Sequence, residues 1–429
     1  MVFIQRSWQA INGFVTIILI AHFLSPVQQG WYYSFVSLAA LYTLFDLGLS
    51  VVLVQISAQL FVSLRWRTGG AVEGGHPDHF LALIGRSSRV YLRLALAFFL
   101  LVLPAGILFF GIRGNEANLP DDQWLAPWVL LIAITAAGIL ALPYLSLIEG
   151  SGRVAEAYGV RFTQGLLGGV GCWLVLALGG ALWAVVMAPA MGLLVAAVWL
   201  ITRWPALLHA SLHNLGKDLE WRREIWPLQW RTGLSWLNGY LLTQIYTPIL
   251  FHTQGAVVAG QMGLSLSIAN MLGLLAQSWI TQDLPAMTQA VATRNWVGLD
   301  KLFRSDLLIS IFTYALGALA VGGIYAGLQG TVYAGRLLPL WPFVGLLCIG
   351  FLGHLASALA AQLRSYTREP LVWVSLLGTG LTVPAALWAA FSFSAAGVVT
   401  VILTIQGMLV LPLSILLWRK YNRAWRVPS

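Results

Sequence analysis

Asp46 is the side chain with the clearest chemical potential, because it is a carboxylate in the middle of a long apolar segment. Thr43, Ser50 and Ser57 recur with it at helical spacing, so one helix face is expected to carry a polar stripe. An ionisable group at the centre of a bilayer costs at least about 2.5 kcal/mol unless it faces protein or water. Two interpretations are open: a cavity-facing carboxylate that binds a proton or sodium ion, or a structural carboxylate that joins two helices.

His354 is the second ionisable side chain inside an apolar segment. Histidine titrates near neutral pH in water, which suits a proton-linked switch. The alternative is a neutral imidazole that is hydrogen-bonded to a neighbouring carbonyl group. Of the two, the neutral structural imidazole is the commoner situation for a histidine in an apolar segment.

Uncharged polar side chains concentrate in two later apolar segments. The four that we select are Asn238, Gln244, Asn270 and Gln277. Amide groups of this kind either line a cavity and hydrogen-bond sugar hydroxyls, or join packed helices to one another.

Arg93 and Arg161 lie about one helical turn inside the ends of their apolar segments. Either guanidinium could pair with Glu149 or receive a phosphate group. The remaining alternative is that both side chains snorkel to the membrane surface.

Long apolar segments must position all of these groups. The chain of 429 residues is 59% hydrophobic and 9% charged, with a mean hydropathy of +0.80. About twelve segments have the length of roughly 20 residues that crosses a bilayer core. The sequence therefore predicts an all-α polytopic membrane protein with about 12 transmembrane helices. It contains neither a phosphate-binding glycine loop nor a nucleophile elbow, so we expect a protein that is not an enzyme and needs no cofactor.

Basic residues predict the orientation of these helices. Nearly every Arg and Lys lies on alternate joints, and only Arg113 and Arg336 fall on the opposite set. The positive-inside rule then places both termini in the cytoplasm. The high isoelectric point of about 9.8 follows from topology and from contact with anionic lipid headgroups, so nucleic acid is not an expected partner.

The two halves of the chain echo each other. The matches are Asn12-Gly13 with Asn238-Gly239, Gln29-Gly30 with Gln254-Gly255, and Leu47-Gly48-Leu49 with Leu272-Gly273-Leu274. An even number of spans separates the matched positions, which predicts two six-helix bundles related by a parallel pseudo-twofold repeat. We assign the bundles to residues 1–201 and 232–429, with a cytoplasmic amphipathic linker over 202–231. The Gly-rich residues 67–76 predict a mobile loop.

Several short motifs resemble those of one transporter family. They are Leu24-Ser25-Pro26, Gln29-Gly30-Trp31-Tyr32, Phe45-Asp46-Leu47-Gly48-Leu49, Glu149-Gly150-Ser151-Gly152-Arg153, Ala259-Gly260-Gln261-Met262-Gly263-Leu264, Leu363-Arg364-Ser365-Tyr366 and Arg368-Glu369-Pro370. The pattern is similar to that of polysaccharide (O-antigen type) flippases. These belong to the multidrug/oligosaccharidyl-lipid/polysaccharide exporter superfamily.

The resemblance implies two bundles around a central cavity and alternating access that moves an undecaprenyl-diphosphate-linked oligosaccharide across a bacterial inner membrane. It also implies proton or sodium coupling at Asp46, with a polysaccharide polymerase and chain-length machinery as partners. Flippases of this kind are expected to hold cationic residues deep in the cavity. Here Arg93, Arg161 and Arg336 are the nearest substitutes, and all lie close to a membrane surface.

Two alternatives remain open at the level of sequence. The first is a cation-coupled multidrug exporter of the same superfamily, in which Asp46 exchanges a proton or sodium ion for an organic cation. The second is a non-transporting membrane component of polysaccharide assembly, such as a polymerase-like enzyme or a scaffold. The short outer joints argue against the polymerase, because such enzymes usually need a sizeable external segment.

Overall fold

The computed structural model of the chain describes residues 2–75, 77–114, 119–213, 221–366 and 368–426. Its described residues are helical almost throughout, apart from one two-stranded hairpin and short turns. The chain divides into two compact units, Met1–Tyr240 and Leu241–Ser429.

The first unit contains eleven α-helices and the beginning of a twelfth. They are α1 (Val2–Phe23), α2 (Pro26–Ala39), α3 (Tyr42–Asp46), α4 (Leu49–Leu60), α5 (Pro77–Gly114), α6 (Asp121–Ile139), α7 (Leu142–Gly150), α8 (Val154–Ala177), α9 (Ala184–Arg203), α10 (Pro205–His213), α11 (Trp221–Glu224) and α12 (Trp226–Thr243). Two short strands, β1 (Leu64–Trp66) and β2 (Val72–Gly74), lie between α4 and α5.

The second unit begins within α12 and continues with seven α-helices. They are α13 (Tyr246–Gln254), α14 (Ala256–Gln282), α15 (Leu284–Ala292), α16 (Trp296–Leu328), α17 (Leu340–Arg364), α18 (Val372–Ile405) and α19 (Leu411–Ala424). A π-helical turn, Gln406–Val410, joins the last two.

Eight helical segments in the described part of the chain are long and apolar enough to cross a membrane. The pair Pro26–Asp46 and Leu49–Ser63, bent by 41°, makes a ninth if it counts as one span. These segments confirm the predicted all-α polytopic membrane fold. The predicted first and seventh spans are helical as α1 and α12–α13, but they are not among the segments that meet this criterion.

One of the eight segments, Val372–Ala424, is long enough for two crossings and contains a reversal. Ser394 has left-handed backbone angles (φ 58°, ψ −158°), which interrupt α18. Gly378 then packs against the side chain of Val410, so the residues on either side of Ser394 run back along each other. This reversal agrees with the sequence prediction of two spans in this region.

The predicted second span is a broken helix rather than a continuous one. It stops at Asp46 and restarts at Leu49, because Leu47 (φ 45°) and Gly48 (φ 70°) adopt left-handed angles. Glycine suits this position twice over. It tolerates a positive φ, and a Cβ here would lie 2.4–2.6 Å from atoms of Thr232 and Trp236.

The boundary between the two compact units follows Tyr240, within α12. The assignment of residues 1–201 and 232–429 to two six-helix bundles stays a prediction. Helix α12 contacts the first unit at individual residues between Thr232 and Tyr240. Gly233 approaches the Leu47 side chain, and the Tyr240 hydroxyl donates to the Ser37 carbonyl at 3.1 Å. These contacts assign the first part of α12 to the first unit.

The predicted linker over 202–231 also belongs to the first unit where the structure describes it. Leu207 of α10 is fully buried, and Ser211 accepts a hydrogen bond from Tyr144 at 2.8 Å. Residues 214–220 of the linker lie outside the described residues. The described part of the linker therefore contributes helices to the unit.

The Gly-rich segment after α4 forms the turn and the second strand of a hairpin. Strands β1 and β2 pair antiparallel. The Trp66 indole donates to the Ser151 hydroxyl at 2.8 Å, and Gly70 lies against the Trp204 ring. Residue 76, the last of this segment, lies outside the described residues.

The motif that begins at Glu149 has a packing explanation. A Cβ on Gly150 would lie 2.3 Å from the Val54 carbonyl oxygen, so α7 and α4 touch at this glycine. The Ser57 hydroxyl donates to the Leu147 carbonyl at 2.7 Å and joins the same two helices. Gly152 has φ 88° in the turn that leads to α8. Small residues at such crossings allow helices in a membrane to approach closely.

An ion pair between Arg426 and Asp300 connects the last described residues of the second unit to α16. The Arg426 guanidinium donates to both carboxylate oxygens of Asp300 and lies over the Trp296 ring. The hydrogen bond from Arg426 to Asp300 raises the pKa of the guanidinium above its ordinary value. This pair joins the last described residues to the start of α16.

We expect Gly150→Ala to destabilise the protein by about 1–3 kcal/mol, because α4 and α7 must separate to admit the methyl group. Gly159→Ala on α8 is the matched control, since a Cβ there meets no atom within 4 Å. Thermal unfolding in detergent, followed by tryptophan fluorescence, compares the two variants. Equal melting temperatures for both variants would contradict the close packing of α4 on α7.

Candidate functional site

A cavity of about 490 Å³ lies within the first unit, between α1, α2, α3, α4, α6, α7, α8 and α9. It combines apolar walls with hydroxyl, amide and guanidinium groups. Its polar lining residues are Asn12, Thr16, Tyr32, Tyr42, Ser50, Thr135, Ser146, Arg161 and Gln164. A chamber with several hydrogen-bonding groups inside a membrane-spanning unit is a binding-site hypothesis by its chemistry.

Helices α1 and α8 supply the amide groups of this cavity. The Gln164 amide donates to the Gly192 carbonyl at 2.7 Å, which fixes its orientation and leaves its carbonyl oxygen free to accept. The Thr16 hydroxyl accepts from the Trp173 indole at 2.8 Å. The Asn12 carbonyl oxygen is buried and has no hydrogen-bond partner among the described residues.

Glycines on α8 allow its neighbours to approach. Gly169 faces the Asn12 amide so closely that a Cβ would lie 2.1 Å from the Asn12 oxygen. Gly168 faces Ala188 of α9, where a Cβ would lie 3.0 Å from the backbone. The absence of side chains at these positions creates the space that Asn12 occupies beside α8.

Arg161 is the cationic group on the cavity wall. Its guanidinium pairs with Glu149 at 2.7 Å and lies over the Tyr158 ring at 5.2 Å. The Arg161 side chain is 32% exposed, whereas that of Glu149 is 16% exposed. Arg93, the other predicted diphosphate contact, is exposed and does not line the cavity. The structure therefore separates two arginines that the sequence treated alike.

Asp46 lies directly behind the cavity wall. Ser50, which lines the cavity, donates its hydroxyl to one Asp46 oxygen at 2.7 Å. The Tyr91 hydroxyl and the Ser50 backbone N–H donate to the other oxygen at 2.5 and 3.3 Å. The carboxylate is 5% exposed and sits at the beginning of α4, where the partial positive charge of the helix N-terminus favours an anion.

The polar stripe predicted around Asp46 is divided by the break in the helix. Thr43 donates to the Ala40 carbonyl of its own chain segment, and Ser57 donates to α7. Only Ser50 and Asp46 remain as a connected pair. This geometry resembles the structural alternative for Asp46, and its role in ion binding stays a prediction.

His354 is buried within the second unit. Its Nε2 atom lies 3.0 Å from the Ser310 hydroxyl, and its ring stacks on Tyr314 with an interplanar angle of 11°. Its Nδ1 atom is buried and has no hydrogen-bond partner among the described residues. The hydrogen bond to Ser310 thus joins α16 and α17 through His354.

The four predicted amide groups do not line the cavity of the first unit. Asn238 is buried in the first unit, while Gln244, Asn270 and Gln277 belong to the second. Gln277 has a buried carbonyl oxygen without a partner among the described residues, whereas Asn270 is exposed.

Two hydroxyl groups of α14 donate to carbonyl groups of their own helix. Ser267 donates to the Gly263 carbonyl at 2.8 Å, and Thr281 donates to the Gln277 carbonyl at 3.2 Å. Such bonds to the preceding turn are common for Ser and Thr in membrane helices. Both groups keep only acceptor capacity for any other partner.

Among the polar cavity residues that the sequence prediction did not select are Asn12, Thr16, Tyr32 and Gln164. A signal existed for three of them. Asn12 is part of the internal repeat, Thr16 follows it by one helical turn, and Gln164 follows Arg161 at helical spacing. Helical spacing along α1 and α8 therefore indicates these three positions.

Comparison with known proteins supports the fold. No protein-family model and no curated protein matches the sequence. A solved structure titled as an inward-facing multidrug resistance MATE family transporter of the MOP superfamily has a TM-score of 0.67 at 16% identity, covering 98% of this chain and 95% of that chain. The lipid II flippase MurJ, in an inward closed conformation, has a TM-score of 0.59 at 12% identity, covering 98% of this chain and 88% of MurJ.

A third solved structure is similar over nearly the whole chain. It describes a MOP superfamily transporter from Pyrococcus furiosus in which reverse polarity of the binding pocket suggests a different function. Its TM-score is 0.53 at 14% identity, covering 99% of this chain and 94% of that chain. At such identities the comparisons establish a shared fold over nearly the whole chain, so function must be argued from the cavity.

We expect Asp46→Ala to lower the melting temperature, because buried donors from Tyr91 and Ser50 lose their acceptor at about 1–3 kcal/mol each. Asp122→Ala is the control, since Asp122 is an exposed carboxylate at the start of α6. Thermal unfolding in detergent measures both. An Asp46→Ala protein as stable as the control would exclude a structural role for this carboxylate.

Proposed function

We propose that this protein transports a lipid-linked oligosaccharide across a bacterial inner membrane by alternating access. The observation that carries the proposal is the polar cavity of the first unit, with Arg161 on its wall. The fold also supports the proposal, because nearly the full chain is similar to solved structures of a multidrug resistance transporter and of a lipid II flippase. Such a protein supports surface polysaccharide assembly.

The cavity suits a glycan because it supplies hydrogen-bond partners inside the membrane. Sugar hydroxyls cannot enter hydrocarbon without replacing their bonds to water. Asn12, Thr16 and Gln164 present amide and hydroxyl groups to the cavity. The volume of about 490 Å³ is within the range of small-molecule sites, so it holds part of a glycan headgroup rather than a long chain.

Arg161 is the group that we assign to the diphosphate. A guanidinium has five N–H donors, and Glu149 engages one of its terminal nitrogens. The remaining donors can bind phosphate oxygens with the bidentate geometry that arginine favours. Glu149 holds the guanidinium in place, and the incoming phosphate competes for it.

Ion coupling is the second part of the proposal. Asp46 binds a proton or sodium ion in this scheme, and it acts on the cavity through Ser50, which it holds by a hydrogen bond. His354 offers a further proton site in the second unit, at its buried Nδ1 atom. We propose Asn238, Gln244, Asn270 and Gln277 as additional contacts for the translocating glycan.

Export of organic cations is the second candidate function. Two features of the cavity favour cation export. The aromatic rings of Tyr32 and Tyr42 line the cavity wall, and the Glu149 carboxylate is paired with Arg161, which also lines it. Aromatic faces attract organic cations. The cavity volume is also typical of sites for drug-sized molecules.

We expect Arg161→Gln to reduce transport of a polyprenyl-diphosphate-linked oligosaccharide by roughly tenfold, which is the order of one lost charge-assisted hydrogen bond. Arg93→Gln is the matched control, because Arg93 is exposed and does not line the cavity. The measurement follows the transbilayer movement of the labelled lipid in proteoliposomes.

The outcomes separate the two functions. Loss of transport in Arg161→Gln with normal transport in Arg93→Gln supports the flippase assignment. Equal transport in both variants would show that Arg161 does not bind the diphosphate. Efflux of organic cations by the unmodified protein, without movement of the lipid-linked oligosaccharide, would replace the flippase with the exporter.

A further inference from the structure

A groove of about 950 Å³ lies on the first unit, on the other face of the α8–α9 pair from the cavity. The two share no lining residue. Positions such as Glu156, Gly159 and Thr163 line the groove, while Arg161 and Gln164 line the cavity. The same two helices therefore present two separate surfaces, and the groove needs its own explanation.

The end of the groove near the start of α8 is cationic. Arg67, Arg153 and Arg203 line it together with the ring of Trp204. Arg153 and Arg67 have side chains that are 52% and 68% exposed. The backbone of Thr68 and the two glycines after it completes this end, held by the contact between Gly70 and Trp204.

The carboxylates near this end are already engaged. Glu156 accepts from the indoles of Trp199 and Trp204 at 3.0 and 3.1 Å and lies 3.6 Å from the Arg153 guanidinium. Arg67 pairs with Glu73 of the hairpin, and both partners are exposed. Exposed ion pairs are weak, so a stronger anion can take over the guanidinium. Three arginines thus outnumber two carboxylates at this end.

The other end of the groove is apolar. Leu167 of α8 and Leu194 and Val198 of α9 line it with 41%, 51% and 54% of their surfaces exposed. From Arg153 to Leu167 the helical rise amounts to about 20 Å. That length matches a headgroup followed by about 15 Å of hydrocarbon, half the thickness of a bilayer core.

We propose that this groove binds an anionic phospholipid. The phosphate sits on Arg153 and Arg203, with Arg67 closing over it from the hairpin. One acyl chain lies along Leu167 and Val198. Basic pockets between transmembrane helices bind anionic lipid headgroups in this way. The predicted orientation places the lipid in the cytoplasmic leaflet, and the site is independent of the transport function.

The test measures lipid binding to delipidated protein in neutral detergent. We expect phosphatidylglycerol to raise the melting temperature by roughly 2–4 °C or more, because a ligand that binds only the folded state stabilises it. Phosphatidylcholine, which has no net charge, should leave it nearly unchanged. Native mass spectrometry counts the lipids that remain bound.

Two triple variants with the same change in net charge provide the comparison. The groove variant should show neither the rise in melting temperature nor bound lipid. It combines Arg67→Gln, Arg153→Gln and Arg203→Gln. The control variant combines Arg304→Gln, Arg364→Gln and Arg419→Gln. It should retain the rise in melting temperature and the bound lipid, because these exposed arginines do not line the groove. Each variant is first confirmed to be folded by its melting transition without lipid. A groove variant that is unfolded is replaced by Leu194→Gln, which should weaken phosphatidylglycerol binding.

Three outcomes would overturn the proposal. One is an equal shift with phosphatidylcholine, which would show that charge recognition is absent. Another is retention of the shift and of the bound lipid in the groove variant, whether the triple arginine variant or Leu194→Gln. The third is an equal shift with glycerol 3-phosphate alone, which would make the groove a site for a free phosphate group rather than a lipid.

Discussion

Hydrogen bonding of the backbone within hydrocarbon is the constraint on which the rest of this structure depends. A helix that breaks inside a membrane exposes N–H groups that no water can satisfy. The second predicted span breaks after Asp46, and the Asp46 carboxylate accepts from the Ser50 N–H at the start of α4. Asp46, the side chain with the clearest chemical potential in the sequence, therefore also accepts a hydrogen bond from a backbone N–H that the helix break leaves without a helical partner.

That constraint links Asp46 to the cavity. Ser50 is held by Asp46 on one side and lines the cavity on the other. Tyr91 of α5 contributes a further donor, so three helices meet at one carboxylate. A change in the charge of Asp46 would alter the hydrogen bonds of Ser50 and of the α4 terminus together. In our proposal this coupling transmits ion binding to the substrate.

Close helix packing provides the space for the polar groups. Gly169 admits the Asn12 amide beside α8, and Gly150 brings α7 onto α4. Larger residues at either position would separate the helices or fill the cavity. Arg161 can then lie inside the unit because Glu149, at the end of α7, balances its charge. The glycines and the ion pair are thus parts of one arrangement.

The two faces of the α8–α9 pair illustrate how charge is distributed. One face meets the cavity through Arg161, whose guanidinium is paired with Glu149. The other face carries Arg153 and Arg203 at the helix ends, above exposed Leu194. Interior charge is compensated within the protein, while charge at the helix ends is available to lipid or solvent. This difference separates the proposed substrate contacts from the proposed lipid site.

The sequence by itself determined the all-α polytopic membrane fold, because the length and apolarity of the segments depend only on local composition. It also selected Asp46 and Arg161, since ionisable groups in apolar segments are visible without a structure. Only the tertiary structure separated Arg161 from Arg93, brought Asn12 and Gln164 into one cavity, and divided the chain into two compact units after Tyr240. The physical reason is that these outcomes depend on which helices pack together, and packing is decided by contacts between residues far apart in the chain.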